Sequence, residues 1–345
     1  MSAAMDRAGF LARLAGYGDM TRRTLLERLP SGEPEAHLYG PIRDFVARSG
    51  KGLRPALLLA TCRAFGGRVE DALTSACALE LLHNAFLIHD DIQDGSEFRR
   101  GLPCLHAQLG TPLAINAGDA MLAGALRLLR RNVGDLGPDT AWLVFDEFDR
   151  LIAESLEGQA LELGWIRDND LSVGPADYLR MTLKKTCRYS FIHPCRIGAL
   201  IAGRRGAALD AFDPFGFLLG AAFQIQDDVL NLVGSRDRYG KEILGDIHEG
   251  KRSLMLARLL GLAAPEERRR LGQFLALPRA GRGAAEAAWV FEAMQRHGCI
   301  DYAQDAAARL TEGARAAFEA AFAGAAGEDR DFVAQCLDFV TRRDA

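Results

Sequence analysis

Residues Leu79–Asp94 read LELLHNAFLIHDDIQD, and the interpretation of the whole chain starts from this stretch. Its apolar residues recur every three or four positions, which is the period of an α-helix. Leu79, Leu82 and Phe86 therefore fall on one stripe, and Asp90 continues that stripe toward the polar end. The pattern predicts a helix that is buried along this stripe and ends in charged residues.

The acidic end of this predicted helix is a candidate metal site. Asp90 and Asp94 are four residues apart and share one face, and Asp91 adjoins them. Like charges at this spacing destabilise a helix by roughly 0.2–0.5 kcal/mol. Packing of the apolar stripe into a core does not explain why these charges are present. A bound cation removes the repulsion, and ligation by oxygen atoms alone favours Mg²⁺, which commonly shares phosphate oxygens.

A second acidic cluster follows another apolar run, in Phe223–Asn231, FQIQDDVLN. Asp227 and Asn231 are again four residues apart, and Asp228 adjoins them. The amide oxygen of Asn231 can ligate a metal or a metal-bound water but carries no charge, so we expect weaker metal binding here than from carboxylates alone. One such cluster is often only a solvated helix end, whereas two that each follow an apolar stripe favour a shared metal site.

Basic residues accompany both clusters and are candidates for diphosphate binding. Gly50–Pro55, GKGLRP, precedes the first cluster, and Arg99-Arg100-Gly101 follows it. Lys184-Lys185-Thr186, Lys241 and Lys251 come later. Arginine makes forked contacts with phosphate oxygens and lysine supplies a point charge. Each basic residue alone would be an ordinary surface charge, but together with two acidic clusters they predict a site for metal-bound diphosphates.

The bulk composition excludes several classes of function. The chain has 345 residues, is 49% hydrophobic and carries a net charge of −4. This balance gives no general attraction to nucleic acid or to anionic membranes. No run reaches the roughly 18 apolar residues of an integral membrane segment. The seven cysteines include no Cys-x-x-Cys pair, so reduced thiols and a cytoplasmic location are expected.

Helix-forming residues dominate the chain, and patterns of alternating apolar and polar residues are scarce. Turn-forming residues divide it into segments of about 15–30 residues. The prediction is an all-α protein, one large helical bundle of ten or more helices that forms a single domain over 1–345. The motifs occupy about 38–260, and 261–345 is expected to add C-terminal helices.

Across roughly Leu38–Leu260 the chain resembles the isoprenyl diphosphate synthase (polyprenyl synthetase) family, most closely its geranylgeranyl diphosphate synthase type. The most specific match is the first acidic cluster joined to Arg-Arg-Gly. The matching pieces, in order, are Gly50–Pro55, His83, Asp90–Asp94, Arg99–Gly101, Asn116 with Gly118-Asp119, Gly158-Gln159, Lys185-Thr186, Phe223–Asn231, Lys241, Asp246 and Lys251. The resemblance implies an isoprenoid synthase fold around a central cavity. It also implies a homodimeric, Mg²⁺-dependent trans-prenyltransferase that joins isopentenyl diphosphate to an allylic diphosphate.

The resemblance further implies a role for each matching residue. The residues implied to hold Mg²⁺, as three ions when substrate is bound, are Asp90, Asp91, Asp94 and Asp227, with Asp228 and Asn231 as weaker or water-mediated partners. Those implied to contact the allylic diphosphate are Arg99, Lys185, Lys241 and Lys251, and those implied to cradle isopentenyl diphosphate are Lys51, Arg54, His83 and Arg100. Thr186 and Gln224 are expected beside Lys185 at the breaking bond.

Phe86, one helical turn before Asp90, is a candidate floor for the growing product, although core packing explains it equally well. With one aromatic residue there, a C20 product is expected, and C15 or longer products stay open.

Four features depart from the family's pattern. Asn231 replaces a frequent aspartate, Leu244 replaces a frequent glycine, and Cys187-Arg188 replaces small residues. His193-Pro194 is expected to interrupt the helix that contains Lys185.

Two other functions fit part of the pattern. A class I terpene cyclase also ionises an allylic diphosphate on an acidic helix, but it leaves Lys51, Arg54 and Arg100 unexplained. A non-catalytic regulatory subunit of a prenyl synthase would share the fold. Such a subunit is expected to have lost one acidic cluster, and this chain has both.

Overall fold

The computed structural model describes residues 7–48, 50–234 and 243–341, and helices make up nearly all of their regular structure. The α-helices are α1 (Arg7–Arg28), α2 (Gly40–Ala47), α3 (Leu53–Ala64), α4 (Val69–Asp94), α5 (Leu105–Leu109), α6 (Thr111–Leu136), α7 (Pro138–Arg167), α8 (Pro175–Thr182), α9 (His193–Ile201), α10 (Ala207–Asp210), α11 (Phe212–Val233), α12 (Gly245–Glu249), α13 (Leu254–Leu262), α14 (Pro265–Leu275), α15 (Ala284–Arg296), α16 (Cys299–Ala321) and α17 (Glu328–Thr341). π-Helical turns occupy Glu35–Tyr39 and Leu183–Ile192, and a 3₁₀ turn occupies Arg279–Gly281. The predicted all-α class is confirmed. No helix among these residues is long and apolar enough to cross a membrane.

The chain forms two compact units. The first comprises Met1–Arg150, His193–Phe212 and Ala320–Cys336, and the second comprises Leu151–Ile192, Asp213–Glu319 and Leu337–Ala345. The single domain expected from the sequence stays a prediction.

In the first unit, α4 packs against α1, α3 and α6. Its 26 residues span about 39 Å at 1.5 Å per residue. Glu70 and Asp71 lie in its first turn, where carboxylates favour the helix dipole. The helix ends at Gly95, whose left-handed backbone (φ 64°) is a common helix C-cap. The predicted acidic cluster therefore occupies the last turns of α4, where the dipole disfavours negative charge and so favours a bound cation.

The segment after α4 is a small hairpin rather than an open loop. β1 (Phe98–Arg99) pairs antiparallel with β2 (Leu102–Pro103). The two linking residues, Arg100 and Gly101, both have positive φ, 55° and 76°. Two-residue hairpin turns with this backbone match the twist of the strands and select glycine at such positions. The Arg-Arg-Gly motif is thus a hairpin turn that presents two arginines.

In the second unit, the π-helical turn Leu183–Ile192 packs very closely against its neighbours. A Cβ added at Gly158 of α7 would lie 2.3 Å from the backbone nitrogen of Lys185. A Cβ added at Gly220 of α11 would lie 2.9 Å from Cα of Cys187. Glycine at both positions lets the segment that bears Lys185 approach these two helices.

The expected interruption at His193-Pro194 is wrong. α9 begins at His193 directly after the π-helical turn, so the chain stays helical and only the hydrogen-bond pattern changes. Pro194 has no N–H to donate, and it lies where the hydrogen-bond pattern passes from π-helical to α-helical.

Candidate active site

The acidic end of α4 contains a buried carboxyl group that is held by one arginine. Asp91 is 1% exposed. Arg99 Nε donates to Asp91 Oδ1 at 2.9 Å, and Arg99 Nη2 donates to the same oxygen. The other carboxyl oxygen, Asp91 Oδ2, is buried and has no hydrogen-bond partner among the described residues. A cation or a water bound to a cation is the kind of partner that such an oxygen lacks.

The carboxylates at this helix end are of the kind that a hard divalent cation binds. Asp90 and Asp94 are half-buried on one face of α4, beside buried Asp91. Within the described ranges no three carboxylate, histidine or cysteine side chains are already gathered around a metal position. Mg²⁺ usually takes one or two carboxylates and completes its shell with water and substrate phosphates. A metal position completed by a diphosphate is therefore compatible with these residues.

Two residues predicted to cradle isopentenyl diphosphate are in contact. Arg54 Nη1 lies 3.1 Å from His83 Nε2. Because a guanidinium can only donate, His83 Nε2 accepts and the ring proton resides on Nδ1. Burial, and then the charges of Arg54, Arg100 and Arg99, lower the pKa of His83 well below its ordinary value. The histidine is thus neutral, and three arginines converge around it.

The loop that carries Lys51 is shaped by two glycines. Arg100 Nη1 donates to the carbonyl of Arg48 at 2.5 Å, and a Cβ added at Gly50 would lie 2.6 Å from Arg100 Nη2. Gly52 has φ 61°, and a Cβ there would lie 2.8 Å from Cα of Gly18. Arg48 and Gly50 therefore both lie against the Arg100 guanidinium, and Lys51 lies between the two glycines.

Glu80 belongs to the same basic cluster and was missed by the sequence reasoning. Burial raises the pKa of its carboxyl group, while the charges of Arg100 and Arg54 oppose the rise. Asn84, one turn further along α4, donates to the Glu80 carbonyl at 2.7 Å. The available signal was an acidic residue on an otherwise apolar part of the helix, three positions before His83.

Gly118, part of the Gly118-Asp119 pair that matches the family, makes room for His89. A Cβ added at Gly118 of α6 would lie 2.3 Å from His89 Nε2, and that nitrogen lies 3.4 Å from Asp119 Oδ1. The glycine is therefore explained by packing against α4.

In the second unit, four side chains form a continuous chain of hydrogen bonds. Thr186 Oγ1 donates to Gln224 Oε1 at 2.9 Å, and Gln224 Nε2 donates to Asp228 Oδ1 at 2.8 Å. Tyr178 OH donates to Asp228 Oδ2 at 2.8 Å. Tyr178 was missed because a tyrosine before a basic motif carries no chemical signature. Two predicted catalytic residues, Thr186 and Gln224, are thus in direct contact.

Asp228 is a buried carboxyl group with a second carboxyl group nearby. Burial, and then the nearby carboxyl of Asp246, raise the pKa of Asp228 well above its ordinary value. The hydrogen bonds from Gln224 and Tyr178 oppose that rise. Burial also raises the pKa of Tyr178. Asp228 is buried, whereas Asp227 is half-buried.

The predicted diphosphate lysines of the second unit are paired with carboxylates. Lys185 Nζ forms an ion pair with Glu162. Lys251 Nζ lies 2.6 Å from Glu249 Oε2 and 3.9 Å from Asp246 Oδ1. Lys241 lies outside the described residues. These carboxylates hold the ammonium groups, and a diphosphate would compete with them.

Asn231 is engaged by the backbone of the turn that follows. Its Oδ1 accepts from the backbone N–H of Asp246 at 3.0 Å, and its carbonyl accepts from Leu244 at 2.9 Å. Leu244 has φ 62°, in the region that favours glycine, which explains why glycine is frequent at this position. The amide that was predicted to assist a metal thus supports the turn before Lys251.

The Cys187-Arg188 departure is accommodated by packing. The Cys187 thiol is buried beside Gly220. Arg188 Nε donates to Glu154 at 3.0 Å, and Nη1 donates to Asp213 at 2.9 Å. Two carboxylates of the same unit therefore neutralise the extra arginine.

Phe86 lies where the apolar stripe of α4 passes from fully buried to partly exposed residues. It is half-buried, whereas Leu79 and Leu82 below it have no exposed area. The ring is thus the last accessible apolar group before a closed core.

Comparison with known proteins identifies the family. The family profile described as polyprenyl synthetase matches residues 35–294. A geranylgeranyl diphosphate synthase of Sulfolobus acidocaldarius is 38% identical over 232 residues, which cover 67% of this chain and 69% of that protein.

Two solved structures share the fold over nearly the whole chain. Geranylgeranyl pyrophosphate synthetase from Pyrococcus horikoshii has a TM-score of 0.86 and 28% identity, covering 98% of this chain and 99% of the other. Polyprenyl synthase from Caulobacter crescentus, complexed with calcium and isoprenyl diphosphate, has a TM-score of 0.83 and 27% identity, covering 100% of both chains. The chain therefore belongs to the polyprenyl synthetase family and is a trans-prenyltransferase that joins isopentenyl diphosphate to an allylic diphosphate.

Proposed function

We propose that this enzyme makes a C20 prenyl diphosphate and that its acidic helix end binds Mg²⁺ together with the allylic diphosphate. The observation that carries the metal proposal is the pairing of Arg99 with one oxygen of buried Asp91, while the other oxygen has no hydrogen-bond partner among the described residues. Geranylgeranyl synthases among the relatives support the C20 length. The Caulobacter crescentus structure, complexed with calcium and isoprenyl diphosphate, supports binding of both a divalent cation and a diphosphate.

The proposed metal ligands are carboxylates from both acidic clusters. They are Asp90, Asp91, Asp94 and Asp227, with three ions present when substrate is bound. Mg²⁺, when bound, neutralises charge on the departing pyrophosphate. Asp228 and Asn231 are the weaker partners of this set, because their oxygens accept hydrogen bonds within the protein.

In the proposed reaction, the bond between the allylic carbon and oxygen breaks and pyrophosphate leaves with the electron pair. The double bond of isopentenyl diphosphate attacks the allylic cation, and a proton is then lost to the released pyrophosphate. Arg99, Lys185, Lys241 and Lys251 hold the leaving group. One opposite charge at about 4 Å contributes roughly 4 kcal/mol at an effective dielectric constant near 20, so several such groups lower the ionisation barrier substantially.

The second diphosphate is proposed to bind at the basic cluster of the first unit, formed by Lys51, Arg54, His83 and Arg100. Neutral His83 accepts from Arg54 and so directs that guanidinium. The close approach of Arg100 to Gly50, the residue before Lys51, supports a shared role for these two basic residues. Because a cyclase binds only one diphosphate, this cluster favours the condensing activity.

We also propose that the enzyme is a homodimer, joined through α6 and the start of α7. Exposed apolar side chains follow one face of α6 at Ile115, Leu126 and Val133, which are 11 and 7 residues apart. Trp142 of α7 is 64% exposed. An apolar face of this length on a folded protein commonly marks a protein interface.

A cytoplasmic location is proposed from the cysteines, since all seven are free and buried in the structure. Fractionation of cells with an antibody to the protein tests the location directly.

The test of the proposed function is a condensation assay with isopentenyl diphosphate, Mg²⁺ and C5, C10 or C15 allylic diphosphates. We expect a C20 product from all three primers, no product after chelation of Mg²⁺, and recovery when Mg²⁺ is restored. Consumption of an allylic diphosphate without isopentenyl diphosphate would instead indicate a cyclase. Absence of product under every condition would contradict the proposal.

A further inference from the structure

The hydrogen-bond chain of the second unit contains two residues that bind neither diphosphate in the proposed reaction. We propose that Tyr178 and Asp228 are positioning residues that hold the Gln224 amide in one orientation, so that Thr186 turns its oxygen lone pairs toward the reacting carbon. The inference rests on the proposed function, which places Thr186 and Gln224 at the breaking bond.

The orientation of Gln224 follows from its two partners. Its Nε2 lies 2.8 Å from Asp228 Oδ1, and its Oε1 lies 2.9 Å from Thr186 Oγ1. An amide has a donor end and an acceptor end, and a carboxyl oxygen that accepts selects the donor end. In the flipped orientation Gln224 Oε1 would face Asp228 Oδ1, and these two acceptor oxygens would repel each other. Asp228 thereby determines which end of the amide faces Thr186.

The consequence at Thr186 is electrostatic. A hydroxyl group has one hydrogen, and Thr186 donates it to Gln224 Oε1. Its lone pairs then point away from Gln224 and are free to face a developing positive charge. Dipoles aligned in advance with the charge of the transition state accelerate a reaction because they need no reorganisation. If the Gln224 amide were flipped, Thr186 would no longer donate its hydrogen to Gln224. The hydroxyl hydrogen, which carries a partial positive charge, could then face the cation and destabilise it.

Tyr178 donates a hydrogen bond to the second carboxyl oxygen of Asp228. The tyrosine side chain is buried in α8, and its hydroxyl lies 2.8 Å from Asp228 Oδ2. Both oxygens of Asp228 therefore have protein donors, and the residue is 7% exposed. A carboxyl group occupied in this way suits positioning better than metal ligation, whereas half-buried Asp227 keeps its proposed metal role.

The primary test is Tyr178→Phe in the full-length enzyme. We expect kcat to fall about tenfold while KM for both diphosphates and the half-saturating Mg²⁺ concentration stay unchanged, because an interaction used only in the transition state is lost. Tyr17→Phe is the matched control. Its hydroxyl is also buried and donates to a carboxylate, Asp329, at 2.5 Å. This control should lose a similar amount of thermal stability and keep the wild-type kcat.

Two substitutions at Asp228 separate positioning from metal binding and keep the test valid if Tyr178→Phe fails to fold. Asp228→Asn can still accept from Gln224 and donate to Tyr178, so it should lose less kcat than a variant that cannot accept. Asp228→Leu removes the acceptor and should lose about tenfold in kcat at an unchanged Mg²⁺ requirement. A strongly raised Mg²⁺ requirement in Asp228→Asn would overturn the inference, as would a wild-type kcat in Tyr178→Phe. The wild-type enzyme measured in parallel tests the proposed function separately, since an inactive wild type contradicts that function itself.

Discussion

Single residues shape the site through backbone conformations that side chains rarely adopt. Arg100 has φ 55° and Leu244 has φ 62°, both in the left-handed region. Such a conformation costs of order 1–3 kcal/mol and persists only where the surrounding structure enforces it. At Arg100 the hairpin enforces it and places the guanidinium against the Lys51 loop. At Leu244 the hydrogen bond to the Asn231 carbonyl enforces it and begins the turn that leads to Lys251.

Phe86 provides a prediction about product length. Replacing it by alanine removes the accessible ring one turn before Asp90, so products longer than those of the wild type are expected in a chromatographic product analysis. Leu81→Ala is the control, because Leu81 is also apolar but is 1% exposed and lies on another face of α4. If Phe86→Ala leaves the product length unchanged, Phe86 is only a core residue.

Glu147 provides a prediction about stability and pH. This buried carboxylate accepts from His193 Nδ1 at 2.7 Å and from Arg196 Nε at 2.9 Å. Burial raises its pKa, but these hydrogen bonds and charges outweigh burial and lower it to about 2. A lowered pKa stabilises the fold above the unfolded pKa, near 4.5, and the stabilisation is lost as pH falls toward 2.

Glu147→Gln is therefore expected to lose about 3 kcal/mol of unfolding free energy at pH 7, measured by urea titration. The difference from wild type should shrink to roughly half at pH 3, where the unfolded carboxyl group is protonated. A difference that stays constant between pH 7 and pH 3 would show that the ionised carboxylate is not what stabilises this cluster.

Among the helical elements, the π-helical turn Leu183–Ile192 depends on glycines of its neighbours. Gly158→Ala would push a Cβ against the Lys185 backbone, which cannot yield as a flexible side chain does. We expect a loss of about 1–3 kcal/mol in stability and a lower kcat, since Lys185 itself must move. Gly164→Ala on the same helix meets nothing within 4 Å and should be neutral or slightly stabilising. Thermal melting and the condensation assay measure both effects, and equal behaviour of the two variants would argue against close packing at Gly158.

For the complete enzyme, the proposed dimer gives a prediction about assembly. Leu126→Glu places a charge in the middle of the exposed apolar face of α6, so the variant is expected to sediment as a monomer. The control is Leu277→Glu, because Leu277 is similarly exposed (41% against 40%) but belongs to the second unit. Analytical ultracentrifugation distinguishes the outcomes, and a wild-type dimer that Leu126→Glu leaves intact would place the interface elsewhere.

Much of this protein was accessible from local patterns. Helix periodicity predicted α4 and α11, and the spacing of Asp90 and Asp94 placed both on one face. These inferences succeed because helix geometry relates neighbours in sequence to neighbours in space. The interruption expected at His193-Pro194 is wrong, because the chain stays helical there through a change from π-helical to α-helical hydrogen bonding, which residue spacing alone does not predict.

The sequence alone determined the helical class, the acidic and basic motifs and, through them, the family. Only the tertiary structure decided which side chains partner one another: Arg99 with Asp91, Arg54 with His83, and Tyr178 with Asp228. The reason is physical. A motif depends on short spacings that the helix repeat converts directly into geometry, whereas Tyr178 and Asp228 are 50 residues apart and meet only because buried polar groups must find partners once the core has closed.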